Sequence, residues 1–474
     1  MNGILVVSHR GPVSYQGTAR GVEPKASGAG GLIAVVGPAL ERLGGTWMFA
    51  PASDEDRELA RAGKALEYGS AALRIVDLPR EAHRSHYATI SSELLSRLFH
   101  YLFELPREPT FGDHFRDAWN GYLLVNELYG EAIRAHARGG CDGVLIDDMH
   151  LMLAATSIRA RGGVDAPLSY FHHVPWCEPE YFAVLPGAVR TQILAGMLSH
   201  DAVGFHCDRW VDAFAACCER FLVGAARAGD RIEWRGRSTS LLVAPAALDA
   251  GMIAERARTP RAMEWRSRLA ESAGDRRIVV RVERVDPSKN TLRAIEAYRL
   301  LLERTPELVD ETCLLGVLTP VRGWIGQYSA YVDACVAAAA AVNRCFAAGG
   351  RPVIQFHLEP DARESDHYRA LAALALADVL YVSPTIDGLN LVAMEGPVVG
   401  ESALVLSENA GVHDQLGDYA FSINPFDVAA MRDQLERALD EPGHERRARA
   451  AALRRIVAAR RPEDWVRSRL AACV

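Results

Sequence analysis

The segment 277–290, RIVVRVERVDPSKN, holds Arg284 and Lys289 five residues apart at the end of a β-branched run, with Asp286 and Pro287 between them. Two cations so close repel one another unless they share an anion. A planar guanidinium fork beside a compact ammonium suits a diphosphate. Both charges would stabilise the negative charge that grows on a departing nucleotide diphosphate. The same residues also fit a loop with two solvated cations, one of them paired to Glu283 or Asp286. In 383–396, SPTIDGLNLVAMEG, a strand ends in Pro384 and a turn at Asp387-Gly388, and a helix is expected to start near Asn390. Free N–H groups at such a helix start bind phosphate oxygens. Asp387 would hold sugar hydroxyls, and Glu395, about two helical turns on, a ribose diol. An ordinary Asp-Gly turn with an N-cap also explains this stretch, whose signal is weak by itself and stronger in combination.

Further polar residues cluster at strand ends. VSHRGPV (7–13) puts Arg10 past the first strand, SYFHHVPW (169–176) puts His172 and His173 past another, and LIDDMHLM (145–152) does the same for Asp147, Asp148 and His150. Their spacing matches no metal motif such as H-E-x-x-H, so no metal is expected. GVEPKASGAGGL (21–32) lacks G-K-[ST] and is not a Walker loop; it reads as a hairpin tip or a flap over a substrate. A G-x-S-x-G elbow is absent, and nothing argues for a Ser or Cys nucleophile. GFHCDRW (204–210) is read as a helix cap with Trp210 in the core.

The elements that must position these groups alternate. Short apolar runs at 4–8, 46–50, 73–78, 143–148, 168–173 and 202–206 form one series, and runs at 277–282, 314–318, 353–358, 378–383 and 403–407 form a second, with amphipathic stretches between. Such alternation predicts an α/β chain with two Rossmann-like, doubly wound parallel-sheet domains facing a central cleft. RIEWRGRSTSLLVAP between the two series is expected to form a hairpin turning on Gly236. The chain of 474 residues is expected to divide near 245–270, with a helical tail over 428–474. A net charge of −7 gives no global attraction to nucleic acid or an anionic membrane. Nine scattered cysteines, none in a C-x-x-C pair, argue for free thiols in a reducing compartment. MNGILVVSHRG reads as a first strand and not a leader, no apolar run is long enough to span a bilayer, and a cytoplasmic location is expected.

Seven motifs in order, VSHRGPV, GAGGL, LIDDMHLM, FHHVPW, GFHCDRW, VERVDPSKN and DGLNLVAMEG, make the chain resemble the trehalose-6-phosphate synthase family of retaining glycosyltransferases, from about residue 3 to 470. The resemblance implies a GT-B fold, with an acceptor domain over 1–250, a donor domain over 251–455 and a C-terminal helix, 456–474, returning to the N-terminal domain. It also implies a role for each site. Arg284 and Lys289 match the donor diphosphate cations. Asp387 would contact the donor sugar, Glu395 the ribose, and the backbone at Asn390, Leu391 and Val392 the phosphates. Asp148 and His173 would line the reacting sugar, and Gly30 would belong to a loop closing over the donor. Arg10 and Arg322 would grip the acceptor's phosphate, with Trp47 and Tyr87 as acceptor-contacting aromatics.

The chain also departs from the family. Ser96 stands where a Trp is usual, Asp147-Asp148-Met149-His150 replaces H-D-Y-H, and Ile386, Leu389 and Met394 interrupt R-D-G-M-N and A-K-E. The changes within 383–396 are similar to those in validoxylamine-phosphate synthases, pseudo-glycosyltransferases that join a nucleotide-activated cyclitol to an amino-cyclitol phosphate. The retained G-G-L loop favours true glycosyl transfer: a glucosyl-type group passes from a nucleoside diphosphate sugar to a sugar phosphate, in trehalose biosynthesis. A catalytically silent sugar-phosphate-binding regulator is the alternative of another class. UDP and GDP donors both remain open, as does a homo-oligomer. The expected partners are these small molecules, without nucleic acid, membrane or cofactor.

Overall fold

The structure is a computed structural model that describes residues 3–18, 21–26, 31–320, 327–346, 350–358 and 367–473. Two compact units divide it: Met1–Ala246 with Pro462–Val474, and Ala247–Arg461. The unit boundaries therefore fall at 246/247 and 461/462, against 250 and 455 from the sequence.

In the first unit a ten-stranded sheet runs, edge to edge, Ala226–Ala228, Arg231–Trp234, Arg237–Val243, Ala202–Phe205, Leu168–Phe171, Gly143–Asp147, Ile4–Val7, Gly45–Phe49, Ala71–Ile75 and Leu66–Tyr68. Its interior pairings are parallel, and only the edges are antiparallel. Helices cover such strands on both faces, which is why they read as unbroken apolar runs; Gly143–Asp147 and Leu168–Phe171 are buried at every position. At one edge, Trp234 pairs with Arg237 across Arg235 and Gly236, both at positive φ (50° and 76°). Positive φ at both loop residues is what a tight two-residue hairpin needs. Chain order reverses between Ile4–Val7 and Gly143–Asp147, the topological switch point of this sheet. A short hairpin, Val13–Thr18 with Gly21–Ala26, stands apart from the sheet.

The second unit has a six-stranded, all-parallel sheet in the order Ile354–Leu358, Thr312–Pro320, Arg277–Val285, Val379–Val382, Ala403–Ser407, Phe421–Ile423. In chain order this is 3-2-1-4-5-6, with its switch point between Arg277–Val285 and Val379–Val382. Val279, Leu314, Val379 and Val405 pack with Ile295, Tyr298 and Leu301 of the helix Thr291–Arg304 to form its core. The tail is helical over Val428–Asp440, Gly443–Ala458 and Pro462–Ala471. No helix among the described residues is long and apolar enough to cross a membrane.

Candidate active site

In the second unit the polar residues gather at the switch point. Strand Arg277–Val285 ends with Arg284 exposed and free of any ion pair among the described residues. Asp286 then accepts from the Ser288 N–H (2.9 Å) and hydroxyl (2.8 Å), closing a single turn, Pro287–Lys289. Lys289 leaves that turn and pairs with the carboxylate of Asp387, past the end of the neighbouring strand; both side chains are 13% exposed. Lys289 thus already shares an anion, and it is neither of the two nearby acids. Glu283 is occupied by the buried Arg281 guanidinium (2.7 Å) and the Thr291 hydroxyl (2.7 Å).

Asp387 is pinned from two sides. Its N–H donates to Asn409 O (3.2 Å), and its carbonyl accepts from Gly411 N–H (3.0 Å). Asn390, at φ 88°, donates to Asp387 Oδ2 (3.0 Å) and accepts from Ala393 N–H (3.1 Å), so it caps the helix Leu391–Val399. A helix leaves its first-turn N–H groups without partners in its own ladder. Asn390 caps Ala393, and Leu391 and Val392 are the other residues of that first turn. Glu395 is buried, and its carboxylate accepts from His367 Nε2 (3.1 Å). Arg256 donates to His367 Nδ1 (3.1 Å), which fixes the His367 proton on Nε2.

In the first unit the switch point brings together the turn after Ile4–Val7 and the turn after Gly143–Asp147. Arg10 is exposed there. Asp148 adopts φ 75° and accepts from Met149 N–H (2.9 Å). Burial pushes its carboxyl up, but His150, His173, His172 and that N–H outweigh it, and the net displacement is downward. His173 Nε2 donates to Asp147 Oδ1 (2.8 Å), the oxygen that also accepts from Arg469 Nη1 (2.8 Å). Tyr87 lies in a π-helical segment, Ser85–Ser96, and stacks on His9 (4.5 Å, 2°). His9 stacks in turn on His150 (4.7 Å) and meets His83 Nε2 at 3.0 Å. Burial, then His150, His83, His86 and Arg10, hold His9 well below the ordinary 6.5, so this cluster is uncharged at neutral pH.

Trp47 corrects an expectation. Its register opposite Val6 turns the indole into the core, fully buried, where Nε1 donates to Ser8 Oγ (2.8 Å). Ser8 Oγ donates to Arg10 O (2.6 Å), so Trp47 braces the turn that carries Arg10 and reaches no acceptor. Gly30 and Arg322 lie outside the described residues. Sequence reasoning assigned no role to Asp147, Arg469 or the histidines at 9, 83 and 86. The Asp147-Asp148 doublet was the one visible signal, since two adjacent acids at a buried strand end need separate partners. No group of three or more His, Cys, Asp or Glu among the described residues is placed to hold a metal.

Two doubly wound units, each with its charged residues at the carboxyl ends of the strands beside the switch point, together with the family and structural matches that follow, make this a glycosyltransferase of the GT-B type. The model of glycosyltransferase family 20 matches residues 2–473, and the chain belongs to that family. It is similar to validamine 7-phosphate valienyltransferase of Streptomyces hygroscopicus subsp. jinggangensis (30% identity, covering 98% of this chain and 93% of the relative). It is equally similar to trehalose-6-phosphate synthase of Mycolicibacterium smegmatis (30%, 98% and 91%). Among solved structures, an alpha,alpha-trehalose-phosphate synthase (UDP-forming) from Burkholderia vietnamiensis aligns with a TM-score of 0.84 at 26% identity, covering all of this chain and 97% of the other.

Proposed function

We propose that the protein transfers a glucosyl-type group, with retention, from UDP-glucose to a sugar phosphate of the glucose 6-phosphate class. One observation carries the reading: Lys289 and Asp387 meet at the switch point of the second sheet, with Arg284 on the adjoining strand end. In this reading Arg284 and Lys289 take the diphosphate, the Leu391 and Val392 N–H groups its oxygens, Asp387 the sugar and Glu395 the ribose. Asp148 and His173 line the reacting sugar, and Arg10 with Tyr87 receives the acceptor. The bond from the anomeric carbon to the diphosphate oxygen breaks, and the acceptor hydroxyl oxygen bonds to that carbon on the same face. Its proton passes to the leaving phosphate, whose charge Arg284 and Lys289 offset. The choice of UDP follows the UDP-forming structural relative.

Incubation with UDP-glucose and glucose 6-phosphate should release UDP only when both are present. Ile386, Leu389 and Met394, together with the valienyltransferase relative, favour a second reading, in which a nucleotide-activated cyclitol meets an amino-cyclitol phosphate. Release with that pair alone would select it. Tight sugar-phosphate binding without release from any donor would overturn both readings.

A further inference from the structure

His173 stands beside an ion pair that is costly to bury. Asp147 and Arg469 are both 0% exposed, one at the end of strand Gly143–Asp147 and the other on the C-terminal helix Pro462–Ala471. A buried pair regains its desolvation cost only with good geometry and extra hydrogen bonds. Here the guanidinium makes one bond to Asp147 Oδ1 and one to Ile146 O (3.2 Å) and stacks near Trp465 (4.7 Å). Asp147 Oδ2 has no partner among the described residues. The pair is not the helix's sole anchor: Trp465 Nε1 donates to Ala244 O (2.9 Å) and Arg42 pairs with Glu463 (2.6 Å).

The pair does act on the imidazole. Asp147 Oδ1 accepts from His173 Nε2, which puts the proton there and leaves Nδ1 as a lone-pair acceptor on a side chain 17% exposed. A lone carboxylate at 2.8 Å would draw a second proton onto the ring. The Arg469 charge on the same oxygen opposes that. Other groups near the ring are Asp148, His172, His206 (5.3 Å) and Trp465 (5.9 Å). An imidazolium beside a sugar that gains positive charge at its anomeric carbon would raise the barrier, whereas a neutral acceptor would not.

We propose that Arg469, acting through Asp147, is a positioning residue that keeps His173 an uncharged hydrogen-bond acceptor towards the donor sugar. The activity readout rests on the transferase reading above; the spectroscopic one does not. In ¹⁵N-resolved spectra of the full chain at pH 7, His173 should carry one proton, on Nε2. Arg469→Met should shift it towards the doubly protonated ring, raise the acid limb of kcat/KM by about one pH unit and lower kcat at pH 7 about threefold, with the acceptor KM within twofold. Arg469→Lys should restore the limb. A His173→Gln/Arg469→Met double variant, with nothing to titrate, should show no raised limb. A folded Arg469→Met with unchanged ring spectrum and limb overturns the proposal. If that variant does not fold, a wild-type His173 found protonated on Nδ1 overturns it as well. Wild type with the expected spectrum but no turnover on any nucleotide sugar would sink the transferase reading alone.

Discussion

Arg284 and Lys289 differ in what surrounds them, and so should their variants. Lys289 is partly shielded and held by Asp387, whereas Arg284 is exposed. Replacing either with Ala should lower kcat on the order of 10²-fold, by analogy with the loss of one oxyanion donor, with little change in acceptor KM. Steady-state UDP release checks this. Lys289→Ala should also remove the cationic partner of Asp387, leaving the Asn390 bond, and so weaken donor binding, a second effect that Arg284→Ala should lack. Trp47→Phe loses the bond to Ser8 Oγ, at a cost of about 1 kcal/mol. Because Ser8 braces the Arg10 turn, the acceptor KM should rise while donor KM stays constant. A rise in donor KM alone would contradict the assignment of Trp47 as a brace.

The element that holds Asp387 is a pair of loops rather than a helix or strand. The Asp387-Gly388 turn and residues 409–412 exchange backbone bonds, and Asp387 pairs with Ala410 as an isolated parallel bridge. Gly411 permits that approach, since a Cβ there would lie 2.0 Å from Gly388 O, a backbone atom with little room to yield. Gly411→Ala should therefore displace Asp387 and Asn390 together, cost on the order of 1–3 kcal/mol as overpacking does, and raise donor KM more than acceptor KM. Thermal unfolding and a donor titration measure the two effects. In the first unit, a Cβ at Gly143 would lie 2.4 Å from the end of the Leu470 side chain on the C-terminal helix, which can move aside where a backbone oxygen cannot.

Across the whole molecule the buried histidines set the response to acid. Burial first, with neighbouring charges, lowers His83 and His200 to about 4 and His172 to about 3, and His9 and His86 fall well below 6.5. Unfolded, each takes a proton near its ordinary 6.5, so below that pH the unfolded chain binds more protons than the folded one. The associated stability is complete above 6.5 and is lost as pH falls from there towards 4. All five lie in the first unit. Urea midpoints followed by a first-unit probe, such as Trp119 or Trp176 fluorescence, should drop between pH 7 and 5, corresponding to a loss of unfolding free energy on the order of a few kcal/mol. An unchanged midpoint would show that these rings titrate normally. The order of strands and helices, the hairpin at Gly236 and the cap at Asn390 could be read from local pattern, because periodicity and turn chemistry act over a few residues. Arg284, Lys289, Asp387 and Glu395 were likewise visible as residue types at strand and helix ends. Which charges meet was not. Lys289 finds Asp387 98 positions away, and Asp147 finds Arg469 at a separation of 322. The inward turn of Trp47 depends on its register against Val6, and the histidine cluster draws on separate turns and helices. Strand order and side-chain direction decide such pairings, and both belong to the packed chain: a residue's type states what it can bond, while only the fold determines what stands within 3 Å of it.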